Sequence, residues 1–413
     1  MAKSVTSNPK SKIVVVGAGP AGASLAIRLA KVDFDVCLIE RERFPRHKLC
    51  GEFISPECFR HFRDLGVFGE MLAAGGERIA ETIFYAPEGK SVSVPSRWFN
   101  GDADGALSLS RAAMDFQLLE KAKAIGVEVL DETSVVGVLF EKERVCGVKI
   151  RTNVGEIKEI SADILADATG RARILGKMIS RQNAKTPDKR FSDSGKIQNP
   201  KSKIQNQLVG FKAHLKNVNL PKGACEIYFF DGGYGGLSYV ENDLANFCFL
   251  IKAEAVKKFN SDARQIIEQL IFQNKRAAAT LKNAEVVHDW LAVAVDGFGR
   301  KDLNPATNLF AVGDAGAFID PFTGSGMLMA LESAEILANA IIENPSADAI
   351  AEKYKLEHAR KFQKRLFVCS LMRRAAFVPA FSRLLIAALN LGELPRKILA
   401  RATRPAYSAE IKR

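Results

Sequence analysis

The sequence predicts a two-domain α/β fold with a discontinuous parallel sheet, and three observations predict it. An apolar run, Ile13-Val14-Val15-Val16, leads directly into Gly17-x-Gly19-x-x-Gly22 and a helical pattern. A second apolar run, Leu309-Phe310-Ala311-Val312, ends in Gly313-Asp314 nearly 300 residues later. Between them, residues 208–295 read mostly as β structure with short alternating segments, as an antiparallel sheet requires. A length of 413 residues suits two domains with elaborations.

The first block reads strand, helix, strand: residues 13–16, then 21–31 with Leu25, Leu29 and Ala30 at helical spacing, then 36–39. Residues 41–75 are charged and then helical. Alternation in Thr82-Ile83-Phe84-Tyr85 and Ser91-Val92-Ser93-Val94 predicts antiparallel strands. Residues 111–126 carry Met114, Leu118, Leu119 and Ala122 at helical spacing, stopped by Gly126. Strands follow at 127–130, 135–140, 145–151 and 164–166. Residues 178–206 are polar, repeat Asn-Pro-Lys-Ser-Lys-Ile from residues 8–13 at 199–204, and read as a solvated insertion. One helix is expected near 261–280, a buried strand at 309–312, and helices from Met327 onward.

Composition excludes several classes. Charged residues at 26% and hydrophobic residues at 47% are ordinary globular values, unlike disordered, collagen-like or disulfide-stapled chains. No apolar run is long enough to span a bilayer, and the polar start MAKSVTSNPKSK does not resemble a signal peptide. Seven scattered cysteines without a C-x-x-C spacing point to reduced thiols in a cytoplasmic setting. The five histidines do not cluster in sequence, so no metal is expected. Residues 353–413 hold 15 Lys and Arg against 3 acids, which accounts for the whole net charge of +12. The amphipathic helical pattern of this basic tail predicts packing on the parent domain, with peripheral membrane contact through 353–413 as a second reading. Nucleic acid is not expected, because no aromatic-plus-basic reading motif accompanies the charge.

The glycine unit carries the first functional signal. Gly17, Gly19 and Gly22 permit a tight turn, close approach of the backbone to a pyrophosphate, and close helix packing, while the helix N-terminus presents free N–H donors. Glu40 ends the next strand 18 positions after Gly22, placed to accept from a ribose 2′-hydroxyl, with Arg41 beside it. The unit Gly313-Asp314, followed by Pro321, Gly324, Ser325 and Gly326, ends a strand in a carboxylate suited to ribityl hydroxyls. It then opens a helix whose N-terminal dipole faces a flavin edge. The cofactor expected is therefore FAD. No second G-x-G-x-x-G is present, so NAD(P)H docking transiently, or a reduced protein, is expected as electron donor.

With these motifs and Asp167-Ala168-Thr169-Gly170 in order, the chain resembles the FAD-dependent oxidoreductases of the p-hydroxybenzoate hydroxylase fold, and among them the geranylgeranyl reductase family. The resemblance implies that Arg111 reaches the cofactor phosphate or ribityl region, that Val135 lies by the adenine, and that Asp167 and Gly170 belong to the cofactor site. Lys48-Leu49-Cys50-Gly51-Glu52 is similar to the Cys-Gly element near the flavin in geranylgeranyl reductases. Arg43, Arg46, His47 and Lys48 are expected to lower the Cys50 pKa and favour thiolate; the competing reading is a packing cysteine. Gly232-Gly233-Tyr234-Gly235 matches the family's element over the substrate, with Gly236 where that element carries tryptophan; a plain hairpin is the alternative.

Together these readings predict a discontinuous Rossmann-type FAD-binding domain (10–80, 106–177, 286–345), a mostly antiparallel β substrate domain (81–105, 207–285), and a C-terminal helical extension (346–413). The expected activity is reduction of C=C bonds in a hydrophobic small-molecule substrate, with Cys50 and Tyr234 as catalytic candidates. The alternatives are a monooxygenase hydroxylating an aromatic or polyketide-like substrate, and a non-catalytic flavin-binding or electron-transfer module. Halogenation ranks low, because no Trp-x-Trp-x-Ile-Pro pattern is present.

Overall fold

A computed structural model describes residues 11–99, 105–185, 208–377 and 379–402. Five parallel strands run in the order Leu309–Ala311, Ile164–Asp167, Lys12–Val16, Asp35–Ile39, Glu128–Leu130. The first strand of the chain sits in the middle, with Val16 registered against both Asp167 and Ile39. Ile13, Val14 and Val15 are fully buried because both faces are covered. Helices Pro20–Ala30, Arg111–Ala124 and Gly326–Glu343 cover one face. The other face packs on a three-stranded antiparallel sheet, Ser134–Glu141, Arg144–Arg151 and Ile157–Ser161, and on helix Ile174–Lys185.

An eight-stranded, mostly antiparallel sheet forms the second layer. Its order is Glu285–Val286, Leu208–Lys216, Ala245–Lys252, Gly233–Tyr239, Ala224–Phe230, Glu81–Tyr85, Ser91–Pro95, and Leu291–Val295 also pairs with Leu208–Lys216. The sheet therefore continues past residue 285, the boundary that the sequence predicts: Leu208 and Lys212 have ladder partners in Val295 and Leu291. Three short helices, Ala253–Lys258, Ala263–Gln269 and Lys275–Leu281, cover its back.

The single helix expected near 261–280 is broken at Asn274, for a local reason. Its Oδ1 accepts from the backbone N–H groups of Arg276 and Ala277, capping a new helix. Its Nδ2 donates to the carbonyls of Tyr85, Ala86 and Phe229, tying that cap to the sheet.

The expected insertion at 178–206 begins inside helix Ile174–Lys185, where Leu175 and Ile179 pack on the sheet; residues 186–206 lie outside the described residues. The C-terminal region consists of helices Ala347–Ala376, Pro379–Leu389 and Glu393–Ala402, and residues 403–413 lie outside the description. The first of these packs on Gly326–Glu343 through Ile350, Ala351 and Tyr354, and the Tyr354 hydroxyl donates to the Ala311 carbonyl at 2.9 Å. Among the described residues no helix is long and apolar enough to cross a membrane.

Candidate functional site

The carboxyl ends of the parallel strands open into a cavity of about 930 Å³ that continues between the two sheets. Gly17 leaves the first strand at φ 104°, and a Cβ there would meet the Ala168 carbonyl oxygen at 2.5 Å. A Cβ on Gly22 would meet the Gly17 carbonyl oxygen at 1.9 Å, so only glycine lets the loop close on its helix. Gly19 caps helix Pro20–Ala30 without any side-chain acceptor, which leaves the first N–H groups facing the cavity.

Glu40 lines this cavity, and it also holds the loop: Oε2 accepts from Ala18 N–H at 2.9 Å and Oε1 from Glu42 N–H at 3.0 Å. Arg46 lies between Glu40, at 3.5 Å, and Asp115, at 2.8 Å. Asp115 in turn grips Arg111 through Nε at 2.8 Å and Nη2 at 2.7 Å. Glu40, Arg46, Asp115 and Arg111 therefore form one ionic chain across the cavity floor. Arg111 stays charged there, although burial opposes its charge, because the Asp115 carboxylate outweighs that effect.

Asp314 faces the same cavity, and burial pushes its carboxyl up to about 6 against the opposing charges of Arg171 and Arg111. This open glycine loop, the free helix N-terminus and a half-buried carboxylate facing the cavity fit the pyrophosphate and ribityl hydroxyls of FAD. Arg41, Val135, Gly170, Pro321, Gly324 and Gly326 line the cavity as well. Four candidates do not, Gly22 among them, since it packs against the Gly17 carbonyl. Gly313, at φ 63°, packs against Ala21 and donates its N–H to Ser333. Ser325 is fully buried at the start of helix Gly326–Glu343. Asp167 accepts from Thr169 N–H at 3.1 Å and Gly176 N–H at 3.2 Å, so its carboxylate shapes the turn after its strand instead of facing the cavity.

The far wall is the front of the large sheet. Strand register sets Thr82, Cys225, Ser238, Asn246 and His214 in one transverse row and Phe84, Ile227, Gly236, Cys248 and Lys212 in the next. Gly233–Tyr239 is thus one strand of a hairpin, and its Tyr234, Gly236 and Ser238 line the cavity. The Tyr234 hydroxyl donates to Asp320 Oδ1 at 2.9 Å. Met372, Leu385, Ile386, Leu389 and Ala400 roof this part, which brings the basic extension into the site.

At the end of these rows lies a cluster that the motif analysis missed. Glu52, fully buried, accepts from Arg111 N–H at 2.8 Å and lies 2.8 Å from His214 Nε2. Lys212, also buried, donates to Glu52 Oε1 and to the Lys48 carbonyl. Burial by itself raises the Glu52 carboxyl, but the His214 and Lys212 donors outweigh it and hold it below its ordinary range. A sequence signal existed: Lys212 and His214 are two residues apart in the apolar run Phe211, Ala213, Leu215, so both must point to the same face.

Cys50 lines the cavity next to this cluster, its carbonyl accepting from Asn246 Nδ2 at 3.1 Å. Burial raises its thiol, and the opposing Arg111 charge does not offset that. The expected thiolate is therefore corrected to a protonated thiol: Arg46, one of the four basic residues expected to lower its pKa, is engaged by Glu40 and Asp115. Among the described residues, His61, Asp64 and Glu335 come within metal-binding reach of one another. Arg60 pairs with Glu335 at 2.9 Å and Arg28 with His61 at 3.1 Å, so guanidinium groups already occupy that cluster.

Comparison with known proteins follows the same division. A model described as "FAD binding domain" matches residues 10–364. The tryptophan 2-halogenase of Chondromyces crocatus is 26% identical over 389 residues, covering 90% of this chain and 67% of that protein. Digeranylgeranylglycerophospholipid reductase 1 of Methanococcoides burtonii is 24% identical over 352 residues, covering 83% and 78%. Among solved structures, the flavin-dependent brominase Bmp2 superposes with a TM-score of 0.73 at 21% identity, covering 95% of this chain and 94% of that one. A geranylgeranyl bacteriochlorophyll reductase-like protein of Thermoplasma acidophilum gives 0.72 at 18%, covering 96% of each. The glycine loop, the Gly313-Asp314 unit and the cavity between them thus have the setting that the matched family requires, and the chain belongs to the FAD binding domain family, as an FAD-dependent oxidoreductase.

Proposed function

We propose that this enzyme reduces C=C bonds of a hydrophobic, isoprenoid-like substrate. One observation carries the choice: a protonated thiol, Cys50, stands on the wall of a cavity whose far side is largely apolar. Bound FAD supplies the hydride equivalent for such a reduction. The substrate carbon that receives no hydride needs a proton, and Cys50 is a group in the wall that holds one at neutral pH. Tyr234 is a positioning residue, its hydroxyl hydrogen committed to Asp320. Phe84, Ile227 and Leu250 of the sheet, with Leu385, Ile386 and Leu389 of the roof, form the apolar lining that receives the chain of the substrate and excludes water. NAD(P)H or a reduced protein delivers the electrons.

Halogenases and reductases both stand among the relatives, at 26% and 24% identity, so the test separates oxygen-dependent from oxygen-independent chemistry. Protein reduced under strict anaerobiosis is mixed with a geranylgeranyl lipid, and the products are read by mass spectrometry. Gain of two hydrogens per double bond, with reoxidation of the flavin, is expected. Turnover that appears only with oxygen, on an aromatic substrate, would replace this reading with the monooxygenase one.

A further inference from the structure

The outer surface of the cavity roof carries a feature that the reaction does not use. Leu384, Leu391, Leu394 and Ile398 are 68%, 85%, 69% and 59% exposed. Leu394 and Ile398, four residues apart on helix Glu393–Ala402, share one face, and Leu391 is exposed in the turn just before it. The same two helices turn Ile386, Leu389 and Ala400 inward, where they are almost fully buried. A single layer of helix therefore has two apolar faces, one on the cavity and one on the exterior.

Basic side chains flank the outer face. Arg401 is exposed one turn beyond Ile398, Arg383 precedes Leu384, and Lys397 adjoins Ile398. Two of these keep an acidic neighbour, Arg383 with Glu88 at 3.4 Å and Lys397 with Glu393 at 2.7 Å, while both remain at the surface. The roof itself is held in place by Asn390 Nδ2, which donates to the Ser91 carbonyl at 3.0 Å, and by Arg396, which lies over the Trp98 ring. The outer face is thus presented from a docked helix pair.

We infer that this face docks on an anionic lipid bilayer, with Leu391, Leu394 and Ile398 entering the headgroup boundary and the surrounding Lys and Arg meeting lipid phosphates. Exposed apolar side chains with Arg383, Lys397 and Arg401 beside them match that surface in both respects. A second copy of the chain matches it less well, because the two helices that bear this face carry Arg383, Arg396, Lys397 and Arg401 against Glu393 and would oppose their own charge. The inference is independent of the reaction assigned above.

The test uses the full chain with FAD bound and vesicles of phosphatidylcholine alone or mixed with phosphatidylglycerol. Sedimentation with the anionic vesicles, weakening as salt rises, is expected, with little sedimentation on phosphatidylcholine alone. The triple variant Leu391→Glu, Leu394→Glu, Ile398→Glu should bind the anionic vesicles about tenfold or more weakly while keeping its flavin spectrum. A second measurement avoids any dependence on that variant folding. The Leu391→Trp variant, compared with the unsubstituted protein, should show added emission that shifts to the blue on the anionic vesicles and is quenched by brominated lipid. Absence of vesicle binding, no blue shift in the Leu391→Trp variant, or dimerisation abolished by the triple change would each overturn the inference.

Discussion

Glu52 Oε2 lies 2.8 Å from His214 Nε2, joining the segment after strand Asp35–Ile39 to strand Leu208–Lys216 near one edge of the large sheet, in a place closed to water. With Lys212, whose ammonium donates to the same carboxylate, the contact couples the two layers of the molecule. Glu52 is also held at φ 55°, in the left-handed region, by the contacts on both sides of its carboxylate.

Breaking this cluster is expected to cost stability. Lys212→Met leaves the buried carboxylate short of a cation, and denaturant titration should show a loss of about 3 kcal/mol. Glu52→Gln should cost a comparable amount, and the double variant less than the sum, because the second change removes what the first left uncompensated. The Glu52 carboxyl is held below its ordinary value. Its contribution is therefore complete above the unfolded-state value and is lost as pH falls through the folded one.

Cys50→Ala is expected to leave FAD binding and the visible spectrum intact and to lower turnover by roughly a hundredfold, the usual scale for a missing general acid. Rapid-reaction kinetics would place that loss in flavin reoxidation by substrate. A variant reoxidised at the wild-type rate would remove Cys50 from the proton step.

Asp314→Asn should have opposite effects on the two forms of the protein. Burial raises the Asp314 carboxyl to about 6, so ionising it opposes folding of the cofactor-free chain, increasingly as pH rises through that value. The variant should therefore raise the apoprotein melting temperature above about pH 6 and, with one acceptor weakened, hold FAD about tenfold less tightly. Differential scanning fluorimetry and equilibrium dialysis read the two effects.

Acid sensitivity should begin earlier than carboxylates alone would give. Burial lowers His61 to about 3 and His358 to about 4, and His358 packs between the rings of Tyr354 and Phe362. Both histidines are neutral when folded and charge readily when unfolded, so stability is complete above about pH 6.5 and falls as pH drops toward 4. His358→Phe should flatten part of that decline in melting temperature measured from pH 7 to pH 4.

The order of the elements was legible because apolar periodicity is a local property: strands at Lys12–Val16, Asp35–Ile39 and Leu309–Ala311 could have been laid out without coordinates. The FAD half of the site was legible for a related reason. Glycines that allow close approach, and a strand ending in Gly313-Asp314, carry their constraint in adjacent residues. The break at Asn274 escaped because its cap is stabilised by carbonyls from three distant residues, which no window of sequence contains.

Sequence alone thus determined the nucleotide fingerprint, the two kinds of sheet and the concentration of positive charge near the C-terminus. Tertiary structure alone decided the rest. It turned Asp167 away from the cavity, kept Cys50 protonated by burial, and set Glu52, Lys212 and His214 together although 160 and 162 residues separate them. The physical reason is that desolvation and charge pairing depend on what surrounds a group in space, and residues far apart along the chain supply those surroundings.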